Sequence, residues 1–169
     1  MLLSPLQKEL AIKLLKSNEI IILPTDTIYG LSALVSEENR IKINKKKNSS
    51  LDKPLIILVS SLDQASKFID LNEEIIKVLK DDQPTTAIFK KEFANETYAI
   101  RLVKRKDICE IIENVGPIFS TSVNISNEKF LSNQTELENF IGKKNCFYTD
   151  FLDAKPSKIL DFTSKSIKR

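Results

Sequence analysis

Four short polar clusters interrupt the apolar runs of this chain, and each holds residue types suited to binding an anion or a nucleotide. The first is Pro24-Thr25-Asp26-Thr27-Ile28-Tyr29-Gly30-Leu31, where two hydroxyls, a carboxylate and a phenol follow directly on the apolar run Ile20 to Leu23. A capped turn uses the same residues, because Thr and Asp bond to nearby backbone and Gly permits a sharp change of direction. The second runs from Lys45-Lys46-Lys47 through Asn48-Ser49-Ser50-Leu51-Asp52-Lys53 to Pro54-Leu55, a cationic helix end entering a loop able to wrap phosphate. The plain alternative is a solvated helix end, where the dipole favours cations. The third, Ser120-Thr121-Ser122-Val123-Asn124-Ile125-Ser126-Asn127, offers small donors and acceptors to a base, ribose or phosphate, or forms a hydroxyl-rich edge. The fourth joins Thr97, Arg101 and Ser157. Arg101 stands inside the apolar pattern Ala99-Ile100-Arg101-Leu102, where an uncompensated guanidinium is costly, so it calls for an anion: a structural Asp or Glu, or a ligand carboxylate. Ligands of open α/β sheets gather at strand ends, and the four clusters therefore point to one shared cleft.

The elements that must position them alternate along the chain. Leu6, Leu10, Ile12, Leu14 and Leu15 recur at helical spacing behind Ser4 and Pro5, which suit the N-cap and first helical position. A strand over Ile20 to Leu23, a helix over Glu38 to Lys47 and a buried strand over Pro54 to Val59 follow. Helices are expected at Leu62 to Ile69 and Glu73 to Leu79, then a hairpin-like pair of strands at Thr86 to Phe89 and Tyr98 to Leu102. Beyond these come a helix over Arg105 to Asn114 and a strand over Ile118 to Val123. A capping box at Thr135 to Glu138 opens a short helix to Ile141 that Gly142 ends. Cys146 to Tyr148 and Ile159 to Phe162 are the last strand candidates, and 164–169 reads as a loose basic tail.

Composition narrows the chemistry. The 169 residues suit one α/β domain, with no repeat or linker to divide them. There is no histidine, which excludes imidazole bases, Ser-His and Cys-His catalysis and every His-containing metal site. The three glycines, Gly30, Gly116 and Gly142, form neither a Walker A loop nor a G-x-G-x-x-G turn, so side chains must hold much of any nucleotide. Two distant cysteines, Cys109 and Cys146, make no disulfide framework, which with no signal peptide and only short apolar runs leads us to expect a soluble cytoplasmic protein with no membrane partner. The net charge of +3 is compatible with an anionic partner and no more specific than that.

The clusters in this order and spacing resemble the YrdC/TsaC family of L-threonylcarbamoyladenylate synthases. Pro24 to Leu31 is similar to the family's P-T-[DE]-T-x-Y-G-L turn without a departure, and Lys47 to Leu55 to its K-x-R-P-x-[DS]-x-P-L loop. Pro84-Thr85-Thr86, Ala99-Ile100-Arg101, Ser122 to Asn127 and Pro156-Ser157 resemble four further family segments, so the likeness covers about Ile20 to Phe162. It implies a single YrdC-like domain in its short form: a twisted mixed β-sheet flanked by helices around a concave, positively charged cleft. The implied reaction is nucleotidyl transfer for tRNA modification: L-threonine, bicarbonate or CO2 and ATP, with Mg2+, give threonylcarbamoyl-AMP and pyrophosphate. The product serves a TsaD-type transferase complex making N6-threonylcarbamoyladenosine. By the resemblance, Lys47, Thr97, Ser122 and Asn124 hold ATP. Thr25, Thr27, Tyr29, Arg101 and Ser157 hold or wall threonine, with Asp26 in the same wall. Lys47 and Arg101 carry the catalysis, and no side-chain metal cluster is implied. Ser49 and Ser50 stand where the family has Arg and Pro, and Lys45, Lys46, Lys53 or Arg40 is left to supply the missing charge. Val123, Asn127, Gln83 and Lys158 are further departures. The alternative is a protein of the same fold that binds tRNA or double-stranded RNA without synthase activity, as the net charge permits.

Overall fold

Helix starts in this chain are set by short polar caps. In the computed structural model, which describes residues 1–90, 97–149, 152, 157–163 and 166–167, helix α1 (Pro5–Lys16) opens with a reciprocal capping box. Gln7 N donates to Ser4 Oγ at 3.2 Å and Ser4 N to Gln7 Oε1 at 2.9 Å. Ser36, Ser61, Asn72 and Asn133 cap α2 (Glu37–Lys46), α3 (Leu62–Ser66), α4 (Glu73–Leu79) and α6 (Gln134–Ile141) with a single side-chain acceptor and no reciprocal bond. The last of these corrects the sequence reading: Asn133 Oδ1 accepts from Thr135 N at 2.9 Å, so the cap lies ahead of the apparent Thr135 box. Helix α5 (Lys106–Val115) is different, since Arg105 at its N-cap gives no side-chain cap. Asp107 inside the first turn accepts from Ile108 N at 3.0 Å, and a distant carboxylate holds the approach to the helix: Asp26 accepts from Arg105 N at 2.8 Å and from Lys104 N at 3.2 Å.

Among the described residues eight strands form one mixed sheet, in the order β1-β2-β6-β3-β5-β4-β7-β8. They are β1 (Ile21–Pro24), β2 (Tyr29–Leu34), β3 (Ile56–Val59), β4 (Thr85–Lys90), β5 (Thr97–Leu102), β6 (Ile118–Ser122), β7 (Lys158–Asp161) and β8 (Ser166–Ile167). The β3·β5 and β4·β7 pairs are parallel and the other pairs antiparallel, so the expected mixed sheet is observed. Strand β2 was not expected; it makes residues 25–28 a tight connection between two antiparallel strands, Pro24 pairing with Tyr29. Cys146 to Tyr148, expected as a strand, contributes only a single parallel bridge from Cys146 to Ile22. Of the tail expected to be loose, Ser166–Ile167 pairs antiparallel with Leu160 and Asp161, and the remaining residues lie outside those described.

The side-chain alternation of the strands divides the two faces of the sheet. One face carries Ile22, Leu31, Ala33, Ile57, Val59, Ala87, Ile100 and Phe119 into a core closed by Ile43 of α2, Ala65 of α3, Ile75 and Leu79 of α4 and Leu137 of α6. The other face is covered only in part. Ile21, Leu23, Leu58 and Ile118 pack under Ala11 and Leu15 of α1 and Ile108, Ile111 and Ile112 of α5. Cross-strand register carries that same face onward through buried Ser32 and Ser120 to Ile56, Ala99, Ile88 and Asp161, and these last four line an open cleft. The site lies there. Among the described residues no helix is long and apolar enough to cross a membrane.

Candidate active site

Arg101 faces the same side as Leu58, its register partner on β3, and its buried guanidinium is held by hydroxyls from three separate segments. Nε donates to Thr86 Oγ1 at 3.0 Å, Nη2 to Ser157 Oγ at 2.7 Å and Nη1 to Thr27 Oγ1 at 3.4 Å. Thr86 and Ser157 are themselves 3.1 Å apart, and Thr25 Oγ1 lies 3.3 Å from Thr27 Oγ1 while donating to Ile28 O at 2.7 Å. Arg101, Thr25, Thr27 and Ser157 line a small pocket of about 90 Å³, and Thr86 lies in the wall of the cleft beside it. Three hydroxyls thus fix the plane and direction of the guanidinium fork, the group whose geometry matches a carboxylate.

Gly30 makes the pocket possible. A Cβ there would stand 2.2 Å from Ser120 Oγ and 2.9 Å from Thr25 Cγ2, so β2 lies against β6 and the turn with no room for a side chain. Gly30→Ala is therefore expected to cost about 1–3 kcal/mol through overpacking, read as a fall in Tm. Adding Ser120→Ala should restore part of it, because the nearest clash is then gone. An unchanged Tm in the single variant would contradict the close packing.

An open cleft of about 730 Å³ adjoins this pocket, the two sharing Ile56, Thr121, Ser122 and Ile159 in their walls. Lys47, Lys53, Thr97, Ser122, Asn124 and Ser126 line it, as do Glu128 and Asp161. Lys47 follows the last turn of α2 and is only 4% exposed. Its ammonium donates to Ser122 O, to Asn124 O at 3.1 Å and to Asn124 Oδ1 at 2.6 Å. Ser122 Oγ donates to Asn124 Oδ1 at 2.8 Å, and Asn124 Nδ2 donates to Glu128 O at 2.6 Å, so the segment after β6 is bound into one network with Lys47. Burial, and then the nearby positive charge of Lys53, lower the Lys47 pKa to about 8. An anion entering the cleft would reverse that cost by restoring a counter-charge.

Residues 13–169 match the family model of Sua5, YciO and YrdC proteins, described as telomere recombination. The chain belongs to the Sua5/YciO/YrdC family. It is 32% identical over 184 residues to the threonylcarbamoyl-AMP synthase of Blochmanniella pennsylvanica, covering 98% of this chain and 94% of that protein. It is 29% identical over 146 residues to the protein of the same name from Pyrococcus abyssi, covering 78% of this chain and 43% of that one. Among solved structures, P. abyssi Sua5 complexed with L-threonine superposes with a TM-score of 0.76 at 22% identity, over 95% of this chain and 52% of that one. E. coli YciO gives 0.76 at 19% identity, over 92% and 85%. The chain thus spans about half the length of the Sua5 structure, and these two likenesses show the fold.

The Sua5/YciO/YrdC fold brings most of the sequence-selected residues together and sets two apart. Lys47, Thr97, Ser122 and Asn124 line the cleft, and Thr25, Thr27, Tyr29, Arg101 and Ser157 line the pocket. The Tyr29 hydroxyl, however, donates to Thr149 O at 3.2 Å, and the ring meets Tyr148 edge-on at 6.2 Å, so its phenol is spent on the core. Asp26, expected in the substrate wall, lines neither space; its carboxylate holds the backbone just ahead of α5. Lys158 lies in neither wall, being the first residue of β7, where its N donates to Pro84 O at 3.1 Å. Pro156 lies outside the described residues. Ser120 and Thr121 of the third cluster and Thr86 of the family-like segment Pro84-Thr85-Thr86 also line these spaces, although the sequence reading assigned them no ligand. Asn127, standing where the family has Gly, has φ 68°, a left-handed conformation that Asn tolerates best after Gly.

Proposed function

We propose that this chain is an L-threonylcarbamoyladenylate synthase, a nucleotidyltransferase that uses L-threonine, bicarbonate or CO2 and ATP. The observation carrying this reading is the contiguity of two complementary receptors: a small pocket around the Arg101 guanidinium and a large cleft around the Lys47 ammonium. The first suits an amino-acid carboxylate and the second a nucleotide phosphate. Relatives that carry the threonylcarbamoyl-AMP synthase name support it, as does the family relative whose structure contains L-threonine.

The threonine amine and bicarbonate give an N-carboxy group with loss of water. One oxygen of that carbamate attacks the α-phosphorus of ATP, and the bond to the β-phosphate oxygen breaks to release pyrophosphate. Arg101, Thr27 and Ser157 would fix the amino acid so that its amine points toward the shared wall, while Ser122, Asn124 and Thr97 orient the nucleotide. Lys47 would neutralise charge developing on the phosphate, supplying a preformed cation at the cleft wall. Among the described residues no group of three or more Cys, Asp or Glu forms a metal cluster. Mg2+ would therefore accompany ATP, held by phosphate oxygens and water and screening their charge. The product would pass to a TsaD-type transferase complex acting on tRNA in the cytoplasm.

Pyrophosphate release by the purified chain with ATP and Mg2+ tests the reading directly. Release should require both threonine and bicarbonate and stop when either is omitted. No release at any threonine concentration would overturn it. Salt-sensitive binding of double-stranded RNA under the same conditions would then favour the RNA-binding alternative.

A further inference from the structure

The cleft holds a second ammonium group, that of Lys53, on a loop whose backbone is held in place from α2. Of the four cations able to supplement Lys47, three are committed elsewhere or face away. Arg40 donates to Glu37 Oε1 at 2.6 Å and to Asp52 O at 3.3 Å. Lys46 stands 5.5 Å over the Phe140 ring, and exposed Lys45 lines no part of the cleft. Lys53 does line it, with its Nζ 3.5 Å from Ser126 Oγ. Ser126 N in turn donates to Lys47 O at 2.7 Å, so the two lysines are tied to the same short segment after β6.

Lys53 is exposed and sits on a loop, yet the loop is held from below. Asn44 of α2 is fully buried, and its Nδ2 donates to Leu51 O at 3.1 Å and to Lys53 O at 3.0 Å. Lys53 N closes a turn onto Ser50 O at 3.1 Å, and Pro54 fixes the next backbone angle. One buried amide thus clamps the backbone on both sides of Asp52 and presents the Lys53 side chain at the cleft. Two ammonium groups facing the same space repel each other, a cost that an anion between them turns into a gain. Because Lys47 is buried beside Ser122 and Asn124 whereas Lys53 is exposed, the inner cation suits the reacting end of a nucleotide tail and the outer one its distal phosphates.

We infer that Lys53 binds the β- and γ-phosphates of the nucleoside triphosphate and that Asn44 is the residue that positions it, an inference that rests on the synthase reading of the cleft. Ser49, which offers no charge, needs no other substitute. Calorimetric titration of the full chain with ATP-Mg, AMP and pyrophosphate tests it, with Lys53→Ala, Lys53→Arg, Asn44→Ala and, as a control, Lys45→Ala. Lys53→Ala is expected to weaken ATP and pyrophosphate roughly tenfold and AMP by less than about twofold, the loss of one charge-assisted contact at a solvated rim. Lys53→Arg should retain most of the ATP affinity and Lys45→Ala all of it. Asn44→Ala should reproduce the Lys53→Ala selectivity, weakening ATP and sparing AMP, which a general loss of structure would not do. Wild-type-like ATP binding by Lys53→Ala, or an equal loss for AMP, would overturn the assignment while leaving the synthase reading standing. Failure of the unsubstituted chain to bind ATP would overturn both.

Discussion

Arg101→Lys should raise the KM for threonine by roughly tenfold to a hundredfold while the KM for ATP stays within about twofold, the loss expected when a bidentate charge-assisted contact becomes a single one. The charge is retained, so the effect isolates geometry. In the wild type, Nε and Nη2 are bonded to Thr86 and Ser157, which come from β4 and from the segment before β7, and Nη1 points at Thr27 in the turn after β1. A lysine ammonium reaches one of these groups and leaves the rest of the hydroxyls to water. Initial rates over a matrix of threonine and ATP concentrations separate the two constants, and Tm guards against unfolding of a buried site. Equal losses for both substrates would mean that Arg101 is a structural tie between strands, and an unaffected threonine KM would remove it from the pocket.

The sequence made the apolar strands and the polar clusters visible because both are written in local pattern. Ile57 and Val59 or Ile118 and Phe119 need no context to be recognised as buried strand residues. Strand β2 was hidden because Gly30 and Ser32 dilute its alternation: small groups are required where β2 lies on Ser120. The role of Asp26 was not legible for a different reason. Its partners, Lys104 N and Arg105 N, are 78 and 79 residues away, and a turn carboxylate looks the same whether it faces a substrate or a helix start. Tyr29 has the same ambiguity, resolved by Thr149 and Tyr148 from the far end of the chain. Arg101, by contrast, was conspicuous as one charge in an apolar strand, and the structure converts that anomaly into a pocket. Three helix-end and turn positions with positive φ are filled by Asn18, Asn48 and Asn127, which is how a chain with three glycines forms left-handed corners.

Replacing Lys47 by Met should separate the cost of the buried charge from its use. The methionine keeps most of the apolar stem and removes the ammonium, leaving Ser122 O, Asn124 O and Asn124 Oδ1 to water in the open cleft. Those lost bonds oppose the relief of desolvation, and the two effects are of similar size, so stability should change by no more than about 1 kcal/mol. Turnover should fall roughly a hundred- to a thousandfold, as expected when a preformed charge at the reacting phosphate is lost. The dependence on pH makes the distinction sharper. The native pKa of about 8 lies below the ordinary 10.5, so between those values the unfolded chain holds the proton that the native chain has released. Wild-type stability therefore gains from this group as pH rises through that window, and the burial penalty is fully present below it. Activity should move the other way: kcat/KM for ATP falls as the ammonium of the free protein is lost above about pH 8, while bound phosphate holds the proton and shifts the corresponding limb of kcat upward. Lys47→Met should show neither the alkaline gain in stability from this position nor the limb in kcat/KM. Stability and activity diverging with pH in the wild type, and both features absent from the variant, would assign the charge to phosphate capture; a variant that retains the alkaline limb would assign that limb to another group.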